Sequence, residues 1–254
     1  MFRGIYTTLS GMGVQQAKLN VTTNNLANVE SKGYKREQVI AKSFQQVMIG
    51  MQSPFTEGVK PVGASHMGTA VSQVNIDMHQ GDLVKTDRYT DIAINGEGFF
   101  VMQVDSEDGE RESYSRDCSF YLDNDGYLVN SRGDKLLGES GPIEVGSEEF
   151  LVKQDGTVLV DNNEIDKIRL VEFEDTKYLE KEGEKYFSAT DDAVIKSEMD
   201  STVNQGFIEK SNVDVTTEMT KIIQVMRQYQ AGQKIIQAYD QLLDKAVNQV
   251  GTLR

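Results

Sequence analysis

Cys118 and the two histidines, His66 and His79, are the residue types best suited to nucleophilic chemistry, with an imidazole taking the thiol proton. Their setting argues against it. His66 lies in an irregular stretch, and no third group is placed to orient a ring. Cys118 is therefore expected to be a partly buried structural thiol. One cysteine makes neither an internal disulfide nor a cysteine-based zinc site. Asp123-Asn124-Asp125-Gly126 resembles the start of a calcium loop, but the further oxygen ligands and the distal Glu are out of register. It is expected to be a hairpin turn. Gly96-Glu97-Gly98 lacks the third glycine and the following helix of a dinucleotide site, and is also read as a turn. The acidic runs Glu107–Glu112 and Glu180–Glu184 offer paired carboxylates. With 40 Asp and Glu in the chain, some must fall close together by chance, so a solvated face is the expected reading. The 20 aromatic residues include no Trp, leaving no platform for stacking sugars. No catalytic residue, metal ligand, cofactor site or small-molecule substrate is assigned.

The 254 residues suffice for one sizeable core, or for a smaller core with extended arms. Hydrophobic residues make up 38%, below the usual share of a compact chain, while the 26% charged is ordinary. Part of the chain is therefore expected to be extended or covered only in an assembly. The net charge of -14 is unevenly placed. Residues 1–50 carry six Lys/Arg against two Asp/Glu, residues 203–254 six against five, and residues 51–202 fourteen against 33. An acidic middle repels phosphate, which argues against nucleic acid, and no such partner is expected. The first residues hold no long apolar run, so no ordinary signal peptide is expected. No apolar stretch reaches the roughly 18–20 residues of a membrane span, so no membrane insertion is expected.

The elements that would position any site are helical at the ends. Residues 3–27 read as a helix, with Ile5, Leu9, Met12, Leu19 and Leu26 on a 4-3 spacing whose gaps are filled by Gln16 and Thr23. Gly4, Gly11 and Gly13 each cost about 1 kcal/mol there, so this helix needs a neighbour. Asn24-Asn25-Leu26-Ala27-Asn28 and Ser31-Lys32-Gly33 form its exit. Residues 214–250 are the strongest periodic segment: Val215, Met219, Ile222, Met226, Tyr229, Ile236, Leu243, Val247 and Val250 fall on one strict 4-3 stripe, whose two remaining positions are Gln233 and Asp240. Val225, Ile235, Tyr239, Leu242 and Ala246 flank it, which implies burial against more than one neighbour. Between the helices, residues 34–75 read as an extended linker with short strand pieces. Residues 76–204 read as antiparallel β, with strands at Ile92–Ile94, Phe99–Met102, Tyr127–Val129, Thr157–Val160 and Ile168–Phe173. They are punctuated by Asn95-Gly96, Asp108-Gly109, Asp125-Gly126 and Asp155-Gly156. The expected fold is mixed α and β. Residues 1–33 and 205–254 pair as a coiled-coil-like domain, and the β-rich domain is looped out between them.

Several segments in order resemble one family. Asn24-Asn25-Leu26-Ala27-Asn28 with Gly33-Tyr34-Lys35 resembles the N-terminal signature of bacterial flagellar rod and hook proteins. Asp91–Phe100, Tyr114-Ser115-Arg116-Asp117, Asp125–Val129 and Gln154–Thr157 resemble its central pieces. Gly206–Asp214, ending in Asn212-Val213-Asp214 and followed by Glu218-Met219, resembles its C-terminal signature. The family usually places glycine where Cys118 stands. The resemblance implies a structural subunit of the flagellar basal-body rod and no enzyme. Its partners would be copies of itself, other rod and hook subunits and the flagellar export apparatus. It would leave the cell through the flagellar channel without a cleavable signal, and it would assemble through the two terminal seams into a hollow shaft. A surface or tail-like assembly protein with a β-head is the alternative for the same pattern.

Overall fold

The structure, a computed structural model, describes residues 2–44, 47–52, 59–65, 68–106, 109–147, 149–183, 185–190, 192–196 and 200–250. A helix α1 (Phe2–Ala27) opens the chain and a helix α2 (Val215–Val250) closes it, with strands between. The mixed class with terminal helices and a β-rich middle is the one the sequence predicts. The chain divides into two compact units. The first comprises Met1–Leu26, Glu37–Ile76 and Val215–Arg254; the second comprises Ala27–Arg36 and Asp77–Asp214.

In the first unit, the hydroxyls of Thr7, Thr8, Thr22 and Thr23 donate to carbonyls one turn back (Arg3, Gly4, Lys18 and Leu19), which lets threonine sit inside α1. Two glycines mark where the helices approach. A Cβ added to Gly4 would lie 2.3 Å from the Tyr239 hydroxyl, and one added to Gly232 would lie 2.7 Å from Met12 Cγ. Further along, the Asn25 amide donates to Glu218 at 3.4 Å. These three points run antiparallel. The α2 face turned inward follows Glu218, Ile222, Val225, Tyr229, Gly232, Ile236, Tyr239, Leu243 and Ala246, itself a 4-3 spacing. Residues 34–75, expected as an extended linker, carry two antiparallel ribbons. Glu37–Ser43 pairs with Thr69–Ile76, with a bulge at Ile40/Ala41, and Val47–Gln52 pairs with Val59–Ser65.

The second unit is built on an antiparallel sheet. Its strands run in the order Leu179–Glu182, Tyr186–Ala189, Gly109–Ser115, Phe99–Ser106, Lys135–Leu136, Leu128–Val129 and Tyr121–Leu122, and Leu170–Val171 also pairs with Phe99–Ser106. A smaller sheet orders Phe150–Val152, Thr157–Val160 and Asn163–Lys167. The end of the unit returns to its beginning: Thr202–Gln205 pairs with Ile92–Asn95, and Phe207–Glu209 pairs with Leu83–Lys85. Strand alternation turns Ile92, Ile94, Phe100 and Met102 into one core with Phe120, Leu128, Leu136, Ile143, Phe150, Val158, Ile168 and Val203. The four expected turn glycines (96, 109, 126 and 156) all have positive φ, the backbone region that tight hairpins require. In the turn Asp123–Gly126, the Gly126 amide donates to the Asp123 carbonyl at 3.0 Å.

Candidate functional site

The polar residues that a β-core normally excludes form the most distinctive site of the second unit. Lys35 and Glu209 are each 1% exposed, and their side chains meet at 2.5 Å. Arg116, also buried, reaches the other Glu209 oxygen at 3.3 Å. Neutral groups complete the shell. Lys35 donates to the His79 carbonyl at 2.8 Å, Arg116 to the Gly96 carbonyl at 2.9 Å, and the Gly81 amide to Glu209 at 3.0 Å. The guanidinium also stacks 4.9 Å from the centre of the Phe99 ring. Burial pushes the Lys35 ammonium below its ordinary value; Glu209 opposes this and Arg116 adds to it. The charges are held by mutual pairing and backbone carbonyls, while the buried Arg116 Nε finds no hydrogen-bond partner among the described residues.

Cys118 lies beside this cluster, 1% exposed. Its sulfur accepts from the Glu209 amide at 3.0 Å. Burial pushes the thiol up to about 12. It is a buried acceptor for a strand end, deeper than the partly buried thiol expected. His79 is exposed and bonded to Asp77, and His66 lies outside the described residues. Because the thiolate is the reactive form, Cys118 in the folded chain should resist iodoacetamide at pH 8 and react promptly in urea. Prompt labelling of native protein would contradict this placement. The sign of the pH effect follows. A thiol with a raised folded pKa gives stability that is complete below the unfolded value near 9.0 and is lost as the pH rises toward about 12.

The signature residues fall into two clasps. In the first unit, Asn25 is 1% exposed and grips one residue of the neighbouring strand. Its amide donates to the Glu37 carbonyl at 2.8 Å, and its oxygen accepts from the Glu37 amide at 2.9 Å, as a strand partner would. The same amide reaches the buried Glu218, which Lys221 pairs at 2.6 Å. In the second unit, Asn212 accepts from the Arg36 amide at 2.8 Å and donates to the carbonyls of Asp77 at 2.8 Å and His79 at 3.0 Å. Arg36 pairs with Asp77 at 2.7 Å. Burial raises the Asp77 carboxyl, but hydrogen bonds from His79 and the Arg36 charge outweigh it and hold the group below its ordinary value. Gly33 is buried with φ +66, and its amide donates to the Glu209 carbonyl at 2.9 Å. Val213 is buried, Asn28 half-buried, and Asn24, Ala27 and Asp214 exposed.

Of the seam residues, Ile5, Met12, Leu19, Leu26, Ile222, Tyr229, Ile236 and Leu243 are half-buried. Leu9, Val215, Met219, Met226 and Val247 are exposed. Hydropathy gave no reason to place Glu218 and Gly232 on the inner face of α2, or to bring Lys35, Arg116 and Glu209 together. Lys35, Arg116, Glu209 and Glu218 all stood within the resemblance segments, which was the only signal for them. Among the described residues no group of His, Cys, Asp and Glu has the geometry of a metal site, and no helix is long and apolar enough to cross a membrane.

Three family models match in chain order. Residues 5–35 match the flagella basal body rod protein model, 93–160 the flagellar hook protein FlgE/F/G D1 domain, and 204–250 the flagellar basal body rod FlgEFG protein C-terminal. Together they take in both clasps' signature asparagines. The chain is 30% identical to the flagellar hook-basal body complex protein FlhO of Bacillus subtilis, over 100% of both chains. It is 33% identical to the flagellar basal-body rod protein FlgG of Buchnera aphidicola subsp. Acyrthosiphon pisum, over 96% of this chain and 98% of that one. It is 29% identical to FlgF of Caulobacter vibrioides over 100% of both. With these ordered segments and full-length relatives, the chain belongs to the family of flagellar basal-body rod proteins.

Proposed function

We propose that this rod subunit polymerises through its terminal helices. On this reading α1 and α2 form a coiled-coil-like layer, and successive copies build the hollow shaft that carries motor torque to hook and filament. Its partners are further copies, other rod and hook subunits, and the export apparatus that delivers it. The observation that carries the reading is the apolar surface left on α2 beside the stripe facing α1. Val215 is 38% exposed, Met219 51%, Ile223 54% and Met226 46% on one flank, and Ile235 is 46% and Leu242 60% exposed on the other. Apolar residues on both flanks of an already occupied face call for more neighbours than α1 alone supplies. Gly11 and Gly13 support the same reading. Each costs α1 about 1 kcal/mol, yet a Cβ at either would meet nothing within 4 Å in the same chain.

The test uses Ile223→Asp. The side chain is already largely in water, so the free chain should keep its circular dichroism and urea midpoint. In a dry subunit contact the carboxylate would cost several kcal/mol, repeated at every step of the lattice. Cells carrying it should lack filaments, while Glu180→Ala, at an exposed site of the second unit, should leave filament counts normal. Equal filament counts at equal expression would sink the proposal. Ile222→Asp is the less clean variant, because Ile222 is half-buried on the α1 side and its replacement should also weaken the free chain.

A further inference from the structure

Side chains are described for Met12, Met78, Met102, Met219 and Met226. Met102 is buried in the β-core, Met12 and Met78 are half-buried, and of these five only Met219 and Met226 are exposed, at 51% and 46%. These two stand seven residues apart on α2, on the same flank as Val215 and Ile223, so their thioethers share one face of the helix. We propose that Met219 and Met226 are a paired oxidation site, and that peroxide acting there switches off the assembly surface. This rests on the polymerisation reading above. In each step the sulfur lone pair attacks one peroxide oxygen and the O–O bond breaks. A sulfoxide forms and the second oxygen leaves as water, so the thioether is oxidised by two electrons and the peroxide reduced by two.

The selectivity has a steric origin. Peroxide must reach the sulfur, and of the five methionines whose side chains are described only these two are exposed, each about half; Met102 is 1% exposed behind the sheet. The consequence has a polar origin. A sulfoxide replaces a soft apolar contact with a strong dipole and a chiral centre, which disrupts methionine-lined interfaces. Because the two residues sit two helical turns apart on one flank, both would enter the same contact, and the disruption repeats in every copy. Methionine sulfoxide is also reducible by dedicated reductases, so a subunit oxidised before assembly is recoverable.

The experiment exposes the full chain to hydrogen peroxide and follows each methionine by peptide mass. Met219 and Met226 should gain one oxygen each about ten-fold faster than Met102 or more, with unchanged circular dichroism. Conversion no faster than that of Met102 would overturn the proposal. A Met219→Leu/Met226→Leu double variant should assemble as the parent does, whereas Met219→Gln/Met226→Gln, which imitates the sulfoxide's polarity, should cut filament counts in cells at least about ten-fold. Two outcomes separate this proposal from the one beneath it. If Ile223→Asp blocks filaments and the Gln pair does not, the oxidation switch fails and the assembly surface stands. If Ile223→Asp also builds filaments, the surface itself has been misread.

Discussion

Glu209→Ala should destabilise the second unit more than any other single side-chain deletion. Lys35 and Arg116 would keep their burial and lose their shared counter-charge. Leaving a buried charge unpaired costs about 3–5 kcal/mol, against a total stability for a natural domain of about 5–15 kcal/mol. The measurement is a urea midpoint on the full chain, followed through the near-ultraviolet signal of the buried rings. Glu209→Gln keeps the volume and should be nearly as damaging, which separates lost charge from lost packing. The pH profile gives an independent reading. Burial lowers the Lys35 pKa in the folded chain, so between that value and 10.5 the unfolded chain binds more protons than the folded one, and stability from this group rises with pH. Removing Glu209 takes away the first of the effects that oppose the lowering, and the window should widen toward neutral pH. A midpoint within error of the parent at pH 7 would mean that the triad contributes nothing.

The second large effect belongs to Gly33. Its φ of +66 lies in the left-handed region, where a Cβ costs about 1–2 kcal/mol. Lack of space costs more. A Cβ at this position would sit 2.0 Å from the Arg116 carbonyl oxygen and 2.5 Å from its carbon. Those are backbone atoms, and they cannot rotate away. To admit a methyl group the chain must separate Gly33 from Arg116, which stretches the bond from the Gly33 amide to the Glu209 carbonyl and opens the same cluster from its other side. Gly33→Ala is therefore expected to cost more than about 3 kcal/mol, in the range reserved for named core faults. Gly109→Ala is the control. Gly109 also has a positive φ, but a Cβ there meets nothing within 4 Å, so only the cost of the left-handed backbone remains. Equal losses for the two variants would show that the close approach at Gly33 is unimportant.

The two variants report on a feature that the sequence displayed in pieces without joining them. Lys35 stood next to a helix exit, Arg116 in a central segment and Glu209 before the last helix. Each was visible only as part of a segment that resembles the family. Lys35 and Glu209 are 174 positions apart in the chain, and nothing local distinguishes a charge destined for the core from one destined for water. What joins them is the pairing of Phe207–Glu209 with Leu83–Lys85 and the return of Gly33 to Glu209. The asparagines behaved similarly. Asn25 and Asn212 were visible as signature residues, but their work as clasps on the backbones of Glu37 and Arg36 depends on chain segments that the fold brings to them.

Local physics was enough for much else. A 3.6-residue helix with apolar residues every three and four positions must be amphipathic, so the two terminal helices were legible. Asn-Gly and Asp-Gly steps supply positive φ at little steric cost, so the turns of the β-rich middle were legible too, as was the family from its ordered segments. The neighbour of each helical face was not. On α2 adjacent stripes share the same 4-3 spacing, and periodicity cannot choose between them. The stripe through Ile222, Tyr229, Ile236 and Leu243 faces inward together with Glu218 and Gly232, while Met219, Met226 and Val247 face out. That choice was made by fit. Gly232 accepts Met12, Gly4 accepts Tyr239, and Glu218 finds Asn25 and Lys221. By itself the sequence determines which residues a helix can bury, but the close approach of particular partners decides which of them it does bury.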